Sequence, residues 1–102
     1  MDVTVTDAAD QRRYEARVDG ELAAIAAYIP TEELLAFTHT EVYPAFEGQG
    51  VGSALVRGAL DDVRTRHLRV LPVCPFVSGF LGRHWEDYGD LVYQSTTRDA
   101  QG

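Results

Sequence analysis

Cysteine is nearly missing from this chain: Cys74 is the only one among 102 residues, so no intrachain disulfide can form. Basic residues are also scarce. Nine Lys+Arg stand against 16 Asp+Glu, and the net charge of -7 argues against non-specific binding to nucleic acid or to an anionic membrane, while a cationic substrate is readily accommodated. No long hydrophobic run is present; the longest apolar stretch, LAAIAAYI at residues 22–29, is far too short to span a bilayer. The opening MDVTVTDAADQRRYEA has no apolar signal-peptide core. Repeats, linkers and low-complexity segments are lacking, and the length leaves no room for a separate substrate domain. These absences predict a cytoplasmic, soluble single domain over residues 1–102, with no metal ligands assigned and any ligand site built from the core elements or from a second subunit.

What is present is patterned. Val3 and Val5 alternate with threonine and predict a short first strand. Residues 13–18 and 21–29 flank Asp19-Gly20, a pair suited to the positive φ angles of a type I′ hairpin turn. After Pro30-Thr31-Glu32-Glu33, LLAFTHTEVY at residues 34–43 predicts a further strand rich in β-branched and aromatic residues. Strict alternation puts Leu35, Phe37, His39, Glu41 and Tyr43 on one face and Leu34, Ala36, Thr38, Thr40 and Val42 on the other. Next, Val51, Leu55, Ala59 and Val63 recur at helical spacing, with Val56 and Leu60 widening the stripe, to an end near Arg66. HLRVLPV predicts a short strand, and Pro75 starts a second amphipathic helix on Phe76, Val77, Phe80, Leu81 and Trp85, interrupted around residues 87–89. DAQG, residues 99–102, is expected to fray. The order strand, helix, strand predicts two parallel strands joined by the glycine-led helix.

That helix starts at FEGQGVGSALV, which places Gly48, Gly50 and Gly52 within five residues. Each glycine inside a helix costs roughly 0.5 to 1 kcal/mol relative to alanine, so the cluster implies unusual backbone angles or a close approach. An anion is one candidate, because the first helical turn offers unpaired N–H groups and the positive end of the dipole; an ordinary tight turn is the other. No Lys follows the glycines as a Walker-type phosphate loop requires, and the chain is too short for the usual dinucleotide domain.

Several short pieces follow one another along the chain: Arg13-Tyr14-Glu15, Asp19-Gly20, His39-Thr40-Glu41-Val42, the glycine loop from Glu47 to Gly52, Pro72-Val73-Cys74-Pro75-Phe76-Val77, and Arg83-His84. In that order they resemble the GNAT superfamily of acyl-CoA-dependent N-acetyltransferases, and most closely its minimal branch, the CG-type or NATD-like acetyltransferase domain. The resemblance implies an α/β fold: a mixed, mostly antiparallel sheet with a parallel strand pair bridged by the CoA-binding helix. It implies acetyl-CoA as co-substrate, without a metal, and a primary amine as acceptor, whether lysine, N-terminus or small polyamine-like molecule. It also implies that Gly48, Gln49, Gly50, Val51 and Gly52 turn their amides to the CoA pyrophosphate, with Ser53 adding a hydroxyl. Backbone N–H groups bind anions without a charged side chain, so an acidic chain can hold an acidic cofactor. Glu47 stands where the superfamily carries Gln or Arg, and is expected to point away or shape the loop.

Acetyl transfer needs a neutral amine, a stabilised oxyanion and a proton for the departing thiol. His39 and Glu41, on the strand before the loop, are candidate bases, with a polar pair on a sheet face as the alternative. Cys74 has three readings: an acid for the leaving sulfur, a nucleophile in a ping-pong route, or a small buried hydrophobe between two prolines. Where many superfamily members carry a tyrosine acid, this chain offers Phe80; Tyr88 is the nearest phenol in sequence and is expected to pack on Trp85, while His84 is read as a relay member or a helix cap. Arg64, Arg66, His67 and Arg69 form a basic cluster suited either to the 3′-phosphate of CoA or to a solvated helix end. Two rivals remain beside the enzyme: a CoA-binding module without efficient catalysis, and a cofactor-free interaction domain in which the glycines serve only packing.

Overall fold

The computed structural model describes residues 2–94, so the DAQG terminus lies outside the described residues. Strands β1 (Val3–Ala8), β2 (Arg13–Val18), β3 (Glu21–Pro30) and β4 (Leu34–Val42) run antiparallel in chain order, and β5 (Arg69–Pro72) closes the sheet parallel to β4. The β2–β3 hairpin turns on Asp19 and Gly20 with φ of 50° and 89°, the pair of positive angles a type I′ turn requires.

Between the parallel strands runs α1 (Val51–Thr65). Its whole apolar stripe, Val51, Leu55, Val56, Ala59, Leu60 and Val63, is buried, while Arg57, Asp61 and Arg64 face solvent. The stripe covers one sheet face, whose side chains include Tyr14, Ala16, Ala26, Leu35 and Phe37. At Gly58 the helix comes so close to β1 that an added Cβ would stand 2.8 Å from Val5.

Helix α2 (Pro75–Arg83) sends Val77, Phe80 and Leu81 into the same core, whereas Phe76 and Trp85 are exposed. The chain breaks at His84 rather than at residues 87–89. His84 N–H closes α2 onto Phe80 O and Leu81 O, and its own carbonyl accepts from Asp87 and Tyr88 at the start of α3 (Trp85–Tyr88). His84 therefore acts as a junction between two helices, with its ring 4.3 Å from that of Phe80.

Strict alternation fails in β4. Ala27 pairs with His39 and Tyr28 with Phe37, so Thr38 has no partner and forms a β-bulge. The extra residue reverses the phase: Leu35 and Phe37 face the helices, but beyond the bulge Thr40 and Val42 take that side. His39 and Glu41 turn to the opposite face, in register with Arg13–Ala27 and Glu15–Ile25. The bulge also bends β4 away from β5, whose ladder stops at Phe37–Pro72. One further bond, Cys74 N–H to Phe37 O at 2.8 Å, holds the strands together before they part.

Candidate functional site

The parting strands and the first turn of α1 enclose a cleft of about 400 Å³. Thr40 and Val42 from β4, Phe46 and Glu47 from the connecting turn, and Phe76 from α2 form its walls, and Gly48, Gly50, Val51, Gly52 and Ser53 line it from the glycine loop. Five of the six loop residues singled out in the sequence thus border one cavity. Gln49, the sixth, donates from Nε2 to Ala45 O at 3.3 Å and braces the loop. Glu47 also borders the cleft, which fits the loop-shaping alternative better than the one in which it points away.

The three glycines differ in their reasons. Gly48 and Gly50 hold φ of 78° and 79°, angles that L side chains rarely adopt, and nothing crowds either of them within 4 Å. Gly50 is the N-cap of α1, and no side chain caps the turn. The first helical bond comes from Ala54 N–H to Gly50 O at 3.1 Å, so the N–H groups of Val51, Gly52 and Ser53 precede the helical ladder at the positive end of the dipole. Gly52 serves packing: an added Cβ would lie 2.6 Å from Cζ of Phe76 and 3.1 Å from Val42.

Strand β4 adds backbone donors and acceptors. Tyr43 N–H bonds to Ala23 O, so by antiparallel alternation Thr40 and Val42 direct their N–H and C=O groups away from β3, toward the edge that β5 has left. Thr40 N–H faces Cys74 Sγ on that edge, and among the described residues the Thr40 C=O and the Val42 N–H and C=O have no ladder partner, so an extended chain bearing amides can pair there, with the loop amides next to it for an anionic group. The arrangement fits a pantetheine arm joined to a pyrophosphate.

Cys74 lies behind this wall. It is 5% exposed, does not border the cleft, and its Sγ donates to Thr40 Oγ1 at 3.4 Å. Burial pushes the thiol pKa up, but the Thr40 hydroxyl and the backbone N–H groups of Val77, Phe76 and Thr40 outweigh it, leaving the pKa below the ordinary thiol value. His39 Nε2 and Glu41 Oε1 form an exposed pair 3.2 Å apart on the other sheet face, outside the cleft lining.

The basic cluster is occupied elsewhere. Arg64 binds both carboxylate oxygens of Asp90 and the carbonyl of Asp87, Arg66 meets Asp7, Asp62 and the Tyr14 hydroxyl, and Arg69 donates to Asp90 O. Its members sit at the far end of α1, about 20 Å from the glycine loop at 1.5 Å per residue, which fits the helix-end reading rather than phosphate recognition. Tyr88 packs on Phe80 rather than on Trp85, and its hydroxyl donates to Asp61 at 2.7 Å, so it serves the α1–α3 contact. Among the described residues no cluster of His, Cys, Asp or Glu is arranged for a metal ion, and no helix is long and apolar enough to cross a membrane.

Sequence reasoning passed over Thr40. The available signal was a change of phase: Leu35 and Phe37 set the apolar positions odd, whereas Val42 is even, so an extra residue had to lie between them.

Comparison with known proteins supports the same architecture. A GCN5-like protein from Staphylococcus aureus superposes with a TM-score of 0.66 at 19% identity, over 90% of this chain and 89% of the relative. The ribosomal-protein-S18-alanine N-acetyltransferase of Escherichia coli gives a TM-score of 0.53 at 22% identity over 59% of this chain, and the ribosomal-protein-alanine N-acetyltransferase of Brucella melitensis biovar Abortus 2308 gives 0.52 at 20% over 81%. This chain spans 41% of the former and 62% of the latter, less than two thirds of either. These likenesses establish the fold. No curated protein sequence matches the chain. The family model for the GCN5-related N-acetyl-transferase matches residues 13–91, most of the chain, and by that match the chain belongs to the GCN5-related N-acetyltransferase family.

Proposed function

We propose that the domain binds acetyl-CoA in the β4–α1 cleft and transfers its acetyl group to a primary amine. The observation that carries this reading is the convergence of the glycine-loop amides with the unpaired edge of β4 in one cavity. Bound there, acetyl-CoA supplies an activated thioester carbonyl. Amides from Gly48 to Ser53 hold the pyrophosphate, and the Thr40 and Val42 backbone aligns the pantetheine arm so that the acetyl group lies where the strands part. The acceptor reaches the carbonyl from the opposite sheet face, where His39 and Glu41 take the ammonium proton directly or through water. The burial of Cys74 favours direct attack by the amine over an acyl-cysteine route, with the thiol serving as an acid.

Lysine side chains, N-terminal amines and small polyamines all remain in the acceptor class. Two proteins of similar fold are ribosomal-protein-alanine N-acetyltransferases, which supports including peptides that begin with alanine among the first acceptors tried. The direct test follows thiol release from acetyl-CoA with a panel of peptides carrying a free N-terminus or a lysine, and with spermidine. Amine-dependent release and an acetylated product are expected. Saturable binding of acetyl-CoA without release for any amine would instead favour a CoA-binding module.

A further inference from the structure

Thr40 is the cleft residue whose hydrogen bond leads out of the cavity into the buried protein. The Thr38 bulge turns its side chain to the helix side, where it borders the cleft beside the loop. Its Oγ1 accepts the S–H of Cys74 at 3.4 Å, and among the described residues Cys74 is the only hydrogen-bond partner of that hydroxyl. An oxygen that accepts a hydrogen bond from behind keeps its own O–H to donate forward, into the cavity. Cys74 itself is 5% exposed and does not border the cleft.

We propose, on the acetyl-transfer reading above, that Thr40 is a catalytic residue: it gives its hydroxyl proton to the departing thiolate and is recharged from Cys74. As the C–S bond breaks, the sulfur keeps the bonding electron pair and takes the Thr40 proton. Oγ1 takes the Cys74 proton in the same movement, and the negative charge comes to rest on Cys74 Sγ. The proton lost by the attacking amine passes to His39, Glu41 or water, and water returns one to Cys74 before the next cycle, so no outside reagent is consumed. Burial opposes charge on Cys74, but the Thr40 hydroxyl and the Val77 and Phe76 amides hold its pKa below the ordinary thiol value, so the negative charge has hydrogen-bond donors around it.

The test compares wild type with Thr40→Val, which keeps shape and removes the hydroxyl, and with Thr40→Ser. Two donors are used: acetyl-CoA, and the acetyl thioester of an acidic aryl thiol, whose leaving group needs no proton. Thr40→Val is expected to lower kcat with acetyl-CoA by about 100-fold, to lose much less with the aryl donor, and to be largely rescued by Ser. A second readout needs no donor: thiolate absorbance of Cys74 against pH, whose midpoint is expected to rise in Thr40→Val. An active wild type beside a Thr40→Val that keeps its kcat, or that loses equally with both donors, overturns the relay alone. A Cys74 midpoint unmoved in Thr40→Val also overturns it. A wild type inactive with every amine and both donors overturns the acetyl-transfer reading itself.

Discussion

Gly52 and Phe76 are joined by a contact that leaves no room for a methyl group, since an added Cβ would meet the Phe76 ring at 2.6 Å. The ring is partly exposed and borders the cleft, so it can yield only by swinging across the cavity or outward. Gly52→Ala is therefore expected to weaken acetyl-CoA binding and to cost about 1–3 kcal/mol of stability by overpacking. In a Phe76→Ala background the stability cost should shrink, leaving only the tighter contact with Val42 at 3.1 Å, which a double-mutant cycle by urea unfolding measures directly. Equal costs in both backgrounds would show that the ring is not what excludes the methyl. Gly48 and Gly50 differ in kind, because their substitution acts through positive φ and not through any neighbour.

Helix α1 illustrates what a sequence pattern carries and what it omits. Its apolar stripe was legible because every member faces one sheet, and the Asp19-Gly20 turn was legible because its backbone angles demand those residues. Residue 38 was only half legible: the change of phase between Phe37 and Val42 signals an extra residue, but a threonine bulge has no glycine or proline to mark which one, and β4 leaves β5 there while remaining paired with β3. The side of the sheet taken by His39, Glu41 and Thr40 follows from that tertiary requirement. The break at His84 was similarly hidden, since carbonyls of Phe80 and Leu81 on one side and amides of Asp87 and Tyr88 on the other create it. Gly58 gives a test at this scale. Propensity alone makes Gly58→Ala stabilising by about 1 kcal/mol, but Val5 stands at 2.8 Å from the new Cβ on a buried helix–strand contact. A net loss of about 1–2 kcal/mol is expected in urea unfolding, and a gain would mean that β1 is free to move aside.

For the molecule as a whole, Arg13 and Arg17 on one sheet face and Arg64 and Arg66 at one helix end are held in ion pairs. Glu15, 6% exposed on the uncovered face, receives bonds from Arg13 and Arg17, and the Arg13 bond foremost holds its carboxyl below the usual range. A carboxylate with a depressed folded pKa stabilises the fold above its unfolded value of about 4.3 and loses that contribution as pH falls through the folded value. Between pH 6 and 3, wild type should therefore lose more stability than Glu15→Gln, read from urea midpoints; parallel pH profiles would remove Glu15 from the acid response. With Arg64 and Arg66 committed to Asp7, Asp62 and Asp90, the proposed donor site rests on the loop amides. Thermal unfolding across a range of acetyl-CoA concentrations, in wild type and in Gly50→Ala, tests that claim most directly. At a concentration 100 times Kd, binding adds about 2.7 kcal/mol, a rise on the order of 10 °C for a domain of this size, and the shift should shrink sharply in Gly50→Ala. An unchanged wild-type transition at every concentration, or an equal shift in Gly50→Ala, would contradict it.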